Sequence, residues 1–412
     1  MSVLAKPLEL PCGAVLRNRL AKAAMSEQLA TRANAPGMEL VRLYGRWADS
    51  GAALLVTGNV AIDRTALSEP LNVSVEDERD LAALRSWATS AGAGGAGVWM
   101  QINHAGRQSP RYLSRRPVAP SPVAVRGLGG AFARPRELTH AEIEGLVARF
   151  ATTARIALLA GFTGVQIHAA HGYLISQFLS PLTNRRDDAW GGDPKRRRRF
   201  LVEVVRAVRS VTGGHVPLSV KLNSADFQRG GLTWEESLEV AGVLGAEGVD
   251  LLEISGGTYE SPALLTGDVQ ASPVRASTQA REAYFLDFAQ RVRALTSVPL
   301  MLTGGFRTRA AMEEAISGGA VDLIGLGRPM ALEPDLPARL LDGDGMTSGV
   351  TSGVVPRRVG IRRLDGMSEL AWHTEQLWRM AGGRDPDPRS SPLRSMVRYT
   401  AASGLDAFRR RR

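Results

Sequence analysis

Cysteine is nearly absent from this sequence: Cys12 is the only one in 412 residues. That excludes an intrachain disulfide, a Cys-rich zinc site and a four-thiolate iron–sulfur cluster. Long hydrophobic runs are also missing, since stretches such as 52–62 fall short of the roughly 20 residues a membrane helix requires. The N-terminus lacks the charged and apolar regions of a signal peptide, so the chain reads as cytoplasmic, with no membrane partner. No glycine-rich dinucleotide fingerprint follows the first strand-like run, where Ala23-Ala24-Met25-Ser26-Glu27 stands, which disfavours an open doubly wound sheet.

What is present suits a large globular core: 44% of residues are hydrophobic and 22% charged. The formal net charge of +10 raises the question of nucleic acid, but the basic residues concentrate in two runs, 195–199 and 409–412. The first precedes a resumed apolar helical face and reads as a solvated helix start, and the second reads as a disordered tail. Nucleic acid is therefore not the expected partner.

Eight apolar or β-branched runs recur at 20–25, 53–60, 97–104, 164–168, 217–223, 249–255, 299–303 and 322–326. Helical periodicity fills the intervals at 39–50, 79–93, 139–160, 194–211, 234–247, 280–295 and 308–317. Such alternation demands parallel strands joined by crossover helices, and eight of them close into an α/β (β/α)8 TIM barrel. The barrel is expected over 1–342, with the long loop 106–138 after the third strand as a lid. A Gly/Ser-rich linker over 343–353 leads into a C-terminal extension with one expected helix, 368–380, carrying Trp372 and Trp378. Two readings of that extension stay open: it caps a neighbouring subunit's site in a homo-oligomer, or it packs on its own barrel.

In this fold reactive groups gather at the C-terminal ends of strands. His104 ends the third run, His168 the fourth, and His171 lies three residues on. Residues so spaced on a continuous strand point apart, so two imidazoles can share a ligand only if the chain turns, and Gly172 suits a turn. Two neutral imidazoles can each donate to one carbonyl oxygen; binding a metal would need a third ligand, and no cysteine is at hand. Tyr173 adds a phenol with an ordinary pKa near 10, able to act as a general acid. Thr303-Gly304-Gly305-Phe306 and Gly325-Leu326-Gly327-Arg328-Pro329 follow the last two strands, where barrels hold phosphate. Lys221 sits inside the fifth strand, where it either meets an anionic cofactor or neutralises a nearby carboxylate. Gln101, on the third, offers both donor and acceptor.

Together these motifs, spread over about 8–340, resemble the old yellow enzyme family of FMN-dependent ene-reductases. The run His168-Ala-Ala-His171-Gly-Tyr173, followed by Leu174-Ile175-Ser176-Gln177-Phe178-Leu179-Ser180-Pro181 and Asn184-Arg185-Arg186-Asp187, is its most recognisable stretch. The resemblance implies FMN as cofactor and NAD(P)H as reductant, with an electron-poor alkene as substrate. It implies that Ala23, Ala24, Met25 and Gly58 lie against the flavin, that Ser26 tunes it, and that Gln101 meets its pyrimidine edge. By the same resemblance Lys221 supplies charge there, while Gly304, Gly305, Gly327 and Arg328 hold the phosphate. His168 and His171 would bind the activating oxygen and Tyr173 would protonate the α-carbon.

One departure concerns Gln28, a substrate-side position close to where one bacterial subgroup carries a tyrosine. Longer members carry a cysteine-ligated cluster that this sequence cannot build. The alternatives are a tRNA dihydrouridine synthase, which needs a cysteine proton donor although Cys12 precedes the first strand, and an inactive flavin-binding barrel with a partner-binding tail.

Overall fold

The computed structural model describes residues 2–126, 130–226, 228–255, 278–306, 308–343 and 362–409. Eight strands form the frame: β1 (Leu20–Lys22), β2 (Leu54–Val56), β3 (Gly97–Asn103), β4 (Gly164–Ala169), β5 (Leu218–Asn223), β6 (Leu251–Ser255), β7 (Leu300–Thr303) and β8 (Leu323–Leu326). Each pairs in parallel with the next, and β8 returns to β1 through Ile324 opposite Leu20, closing the barrel. The chain is thus a (β/α)8 barrel.

Between the strands lie α1 (Met38–Ala48), α2 (Leu81–Gly92), α3 (His140–Leu159), α4 (Leu174–Leu179), α5 (Pro194–Thr212), α6 (Trp234–Ala246), α7 (Thr278–Arg293) and α8 (Arg309–Ser317). After β8 come α9 (Pro329–Leu332) and α10 (Leu336–Asp342). Local chemistry starts several of them. Thr139 and Glu142 form a reciprocal cap on α3, Thr233 and Glu236 do the same on α6, and Asp193 caps α5 ahead of Pro194.

Alternate strand residues divide between two cores, as the two-residue side-chain period requires. Val165, Ile167, Val220, Leu222, Leu252 and Ile254 face the helices. Leu54, Trp99, Leu251, Met301 and Leu323 fill the lower interior, where an N-terminal hairpin, Leu8–Glu9 with Val15–Leu16, adds Leu8, Leu10, Leu16 and Cys12. Above that apolar layer the interior turns polar, with Gln101, Gln166, Ser219, Lys221 and Glu253 all buried.

The basic run at the start of α5 is consumed by pairing: Arg196 meets Asp193, Arg197 meets Glu236 and Arg198 meets Glu239. Residues 106–138 hold a short helical turn, Gly106–Gln108, and two paired segments, Val118–Ala119 and Arg136–Glu137. Of the expected linker, all but Gly343 lies outside the described residues. The extension contains two helices rather than one, α11 (Arg362–Ala381) and α12 (Pro392–Arg409). Arg409 therefore belongs to a helix and not to a disordered tail, while 410–412 lie outside the described residues. The extension packs on its own barrel, where Arg42 of α1 donates to the Ala381 carbonyl at 2.7 Å. No helix among the described residues is long and apolar enough to cross a membrane.

A recurring staple ties helices to strands at the barrel's lower rim. Asp250 accepts from the Leu218 backbone N–H at 2.8 Å and from Arg209 of α5 at 2.6 Å. Asp322 repeats this with Leu300 and with Arg293 of α7. Asp250→Ala, which leaves a buried strand N–H without its acceptor, is expected to lower the unfolding free energy by about 2–3 kcal/mol. A urea titration checks it: the midpoint drops at unchanged slope, whereas an unmoved midpoint removes the staple from the account.

Candidate active site

Beyond β4 the chain turns sharply. His171 and Gly172 both adopt left-handed backbone, with φ of 62° and 75°. A Cβ on Gly172 would sit 2.5 Å from Gln108 Oε1, so glycine is required, whereas His171 holds a conformation that its side chain disfavours. The turn is pinned from several sides. The His171 N–H donates to Asn223 Oδ1 at 3.2 Å, Gln108 Nε2 donates to the His171 carbonyl at 2.9 Å, and Gln177 Nε2 donates to the Gly172 carbonyl at 2.7 Å. As a result the His168 and His171 ring centroids stand 5.0 Å apart, and the Tyr173 ring lies 4.9 Å from His168, edge to face.

The protonation of the pair follows from its surroundings. The Ala170 N–H donates to His168 Nδ1 at 3.2 Å, which places the ring proton on Nε2. Desolvation, with His171 and Lys221 adding repulsion, holds the His168 pKa well below 6.5. His171 keeps some exposure at its edge, yet desolvation and then Lys221 lower its pKa well below 6.5 too. Its Nε2 pairs with Ser255 Oγ at 2.8 Å. Both rings are therefore neutral at pH 7. His104 behaves as a wall residue: its Nδ1 accepts from the Gly106 N–H at 3.0 Å, and burial lowers its pKa to about 4.

Below the histidines lies a buried polar chain. Lys221 is in register with His168 on one side and Glu253 on the other, and its Nζ stands 2.8 Å from Glu253 Oε1. Gln166 donates to Glu253 at 2.8 Å, and Gln101 donates to Gln166 at 2.7 Å. Of the two readings of Lys221, the structure thus places a carboxylate beside it.

Behind β1, Ala23 is buried, while Ala24, Met25 and Ser26 keep partial exposure. The Ser26 hydroxyl goes to Glu69, whose pKa burial raises. Glu27 accepts from the Tyr44 hydroxyl at 2.5 Å and from the Gly58 N–H at 2.9 Å, and a Cβ on Gly58 would lie 2.0 Å from Glu27 Oε2. Gly58 is thus fixed by its approach to Glu27. Lys22, fully buried, donates to Tyr44 and to the Val56 carbonyl, and desolvation lowers its pKa to about 8.

At the turns after β7 and β8, Gly304 and Gly305 have φ of 104° and 89°. A side chain built on Gly304 or Gly327 would meet nothing within 4 Å, so open space faces both backbones. Arg328 is exposed and pairs with Glu369 of α11. Gln28, buried in left-handed backbone at φ 54°, donates through Nε2 to the Tyr399 hydroxyl of α12 at 2.7 Å.

The sequence reading missed Glu253, the Lys22–Glu27–Tyr44 cluster, Glu69, Ser255 and Tyr399. Glu253 carried a signal, a charge inside a strand, of the kind that singled out Lys221. Tyr399 carried none, because only the packing of α12 brings it to the barrel.

A histidine whose pKa falls on folding holds its proton more tightly in the unfolded chain. The stability it contributes is complete above pH 6.5 and is lost as pH falls, for His104 down to about 4. The unfolding free energy from urea titrations is expected to decline across that window, at up to about 1.4 kcal/mol per pH unit for each titrating histidine, and the midpoint with it. A midpoint flat from pH 6.5 to 4 would contradict burial of the neutral rings.

Comparison with known proteins gives the geometry its context. An NADH-dependent flavin oxidoreductase, iliE of Hypocrea jecorina, is 39% identical over 355 residues, covering 81% of this chain and 88% of the relative. An NADH oxidase of Thermoanaerobacter brockii is 33% identical over 80% of this chain and 49% of its own longer one. Among solved structures, an old yellow enzyme homologue from Zymomonas mobilis superposes with a TM-score of 0.72 at 26% identity, covering 85% of this chain and 95% of the other. Morphinone reductase does so with 0.69 at 26% identity, covering 84% and 91%. Residues 4–344 match the NADH:flavin oxidoreductase / NADH oxidase family, and the chain belongs to it, as an FMN-dependent oxidoreductase of the old yellow enzyme type that draws its electrons from NAD(P)H.

Proposed function

We propose that this enzyme is an ene-reductase that saturates the C=C bond of α,β-unsaturated carbonyl or nitro compounds. The observation that carries the reading is the pair of neutral imidazoles beside the Tyr173 phenol at the barrel mouth. FMN, when bound, supplies the hydride that the nicotinamide delivers. The residues present fit that group. Open space faces Gly304 and Gly327, as a phosphate held by backbone amides requires, and Gly305 and Arg328 flank it. Ala23, Ala24, Met25, Ser26 and Gly58 would line the ring, with Gln101 and Lys221 at its polar edge.

The chain's own groups then act on the substrate. His168 presents Nε2–H to the activating oxygen. His171 Nε2 pairs with Ser255 Oγ, and with the hydroxyl as donor the ring proton would sit on Nδ1, making the second donor. Fixed neutral donors favour an oxygen that gains negative charge as electrons reach the β-carbon, and they need not reorient at that moment. Tyr173 delivers a proton to the α-carbon, and Gln28 lies on the substrate side. The dihydrouridine synthase alternative loses support from the position of Cys12, which is buried with the barrel-floor residues far from the histidines along the barrel axis.

His168→Ala is expected to lower enone turnover about a hundredfold, equivalent to ~3 kcal/mol of transition-state stabilisation, while NADH still bleaches the bound flavin. Stopped-flow of the two half-reactions separates these effects. Unchanged reoxidation by the enone in a variant that retains FMN would refute the assigned role.

A further inference from the structure

The family match ends at residue 344, and residues beyond that point meet the turn at Glu27–Gln28. Besides the contacts with α1, three side chains of the extension reach the turns after β1 and β8. Glu369 of α11 pairs with Arg328, Trp378 of the same helix donates through Nε1 to the Glu27 carbonyl at 3.0 Å, and Tyr399 of α12 accepts from Gln28. The Tyr399 ring stacks on Trp378, with centroids 6.3 Å apart and planes 13° from parallel. Its helix is locked to α11 through Glu375, which takes the Ser395 hydroxyl and Arg398 Nη1, the latter at 2.7 Å. Trp378 and Tyr399 thereby fasten the turn at Glu27–Gln28, where Gln28 holds left-handed backbone that a non-glycine residue disfavours.

The hydrogen bond from Gln28 uses the Tyr399 oxygen as acceptor, so the phenolic O–H is directed elsewhere. Gln28, whose Nε2 stands 2.7 Å from this phenol oxygen, also hydrogen-bonds Glu69, which takes the Ser26 hydroxyl, so the phenol adjoins the run expected to line the flavin. Burial and the Glu69 carboxyl keep Tyr399 protonated. The Glu69 carboxyl beside this phenol disfavours negative charge on a ligand there, whereas a neutral acceptor meets a donor.

We propose that Tyr399, planted in the mouth by the C-terminal helical pair of the same chain, is a specificity-determining residue: its hydroxyl donates to a second acceptor on an uncharged, conjugated alkene. The inference rests on the ene-reductase reading. It goes beyond it in assigning a selecting group outside the family-matched segment and in naming the substrate class: neutral alkenes with an acceptor on each side of the double bond.

The test uses full-length holoenzyme and two alkenes that differ by one carbonyl, isophorone and ketoisophorone, each titrated against the oxidised protein by the flavin absorbance change. Tyr399→Phe keeps the ring and its stack and removes only the hydroxyl. The expected result is about a tenfold loss of affinity for ketoisophorone and less than a twofold change for isophorone. An equal effect on both alkenes, or none on either, overturns the role of Tyr399 and leaves the ene-reductase reading standing. Wild-type protein that binds neither alkene overturns both.

Discussion

Lys221 and Glu253 face one another inside the barrel with almost no contact with water, and the polar half of the interior is organised around that pair. Either charge alone would carry a desolvation cost of several kcal/mol, so neither residue is tolerable without the other. Glu253 recruits Gln166, and Gln166 recruits Gln101, which brings three strands into one hydrogen-bonded layer. Lys221 also acts upward. Its charge joins desolvation in keeping His168 and His171 unprotonated, and neutral rings are what an acceptor oxygen needs, since they donate without bringing a net charge into the mouth.

The same pair modifies what the sequence suggests about the cofactor. A lone lysine on a strand reads as a full positive charge aimed at the flavin, but beside Glu253 that charge is largely balanced. Its field at a flavin bound there would accordingly be weaker than that of an isolated cation at the same distance. Ser26 and Arg328 follow the same pattern, since each meets a carboxylate, Glu69 or Glu369. In all three places the partner lies on a different element, 32 to 43 residues away along the chain, and no local spacing reveals it.

That distinction explains how much could be read in advance. Every barrel strand was legible because a strand buried on both faces is a short apolar run between turn signals, as Gly164-Val-Gln-Ile-His-Ala shows. The first strand was placed too long, at 20–25, because Ala23 onward is apolar and extended yet runs off the end of the ladder. The turn that brings His168 and His171 together was also legible, because a glycine and a geometric necessity coincided. The second helix of the extension was not. Its sequence, Pro392 to Arg409, is interrupted by Gly404 and follows a Pro/Gly/Asp-rich stretch, although Ser391-Pro392 is a helix-start signal.

The C-terminal helices show why site residues can escape any motif. A barrel supplies its mouth from many loops, so a group from outside the barrel can enter wherever one of those loops leaves an edge open. Here the edge is the turn at Glu27–Gln28, held in a left-handed conformation that costs of order 1 kcal/mol unless the surroundings secure it. Trp378 and Tyr399 secure it with one hydrogen bond each, and in doing so Tyr399 is brought to Gln28, where the proposed substrate contact would be made. Strain relief and the proposed substrate contact then depend on a single packing event, so a change on the buried side of α12 would reach the Glu27–Gln28 turn even though α12 lies outside the family-matched segment.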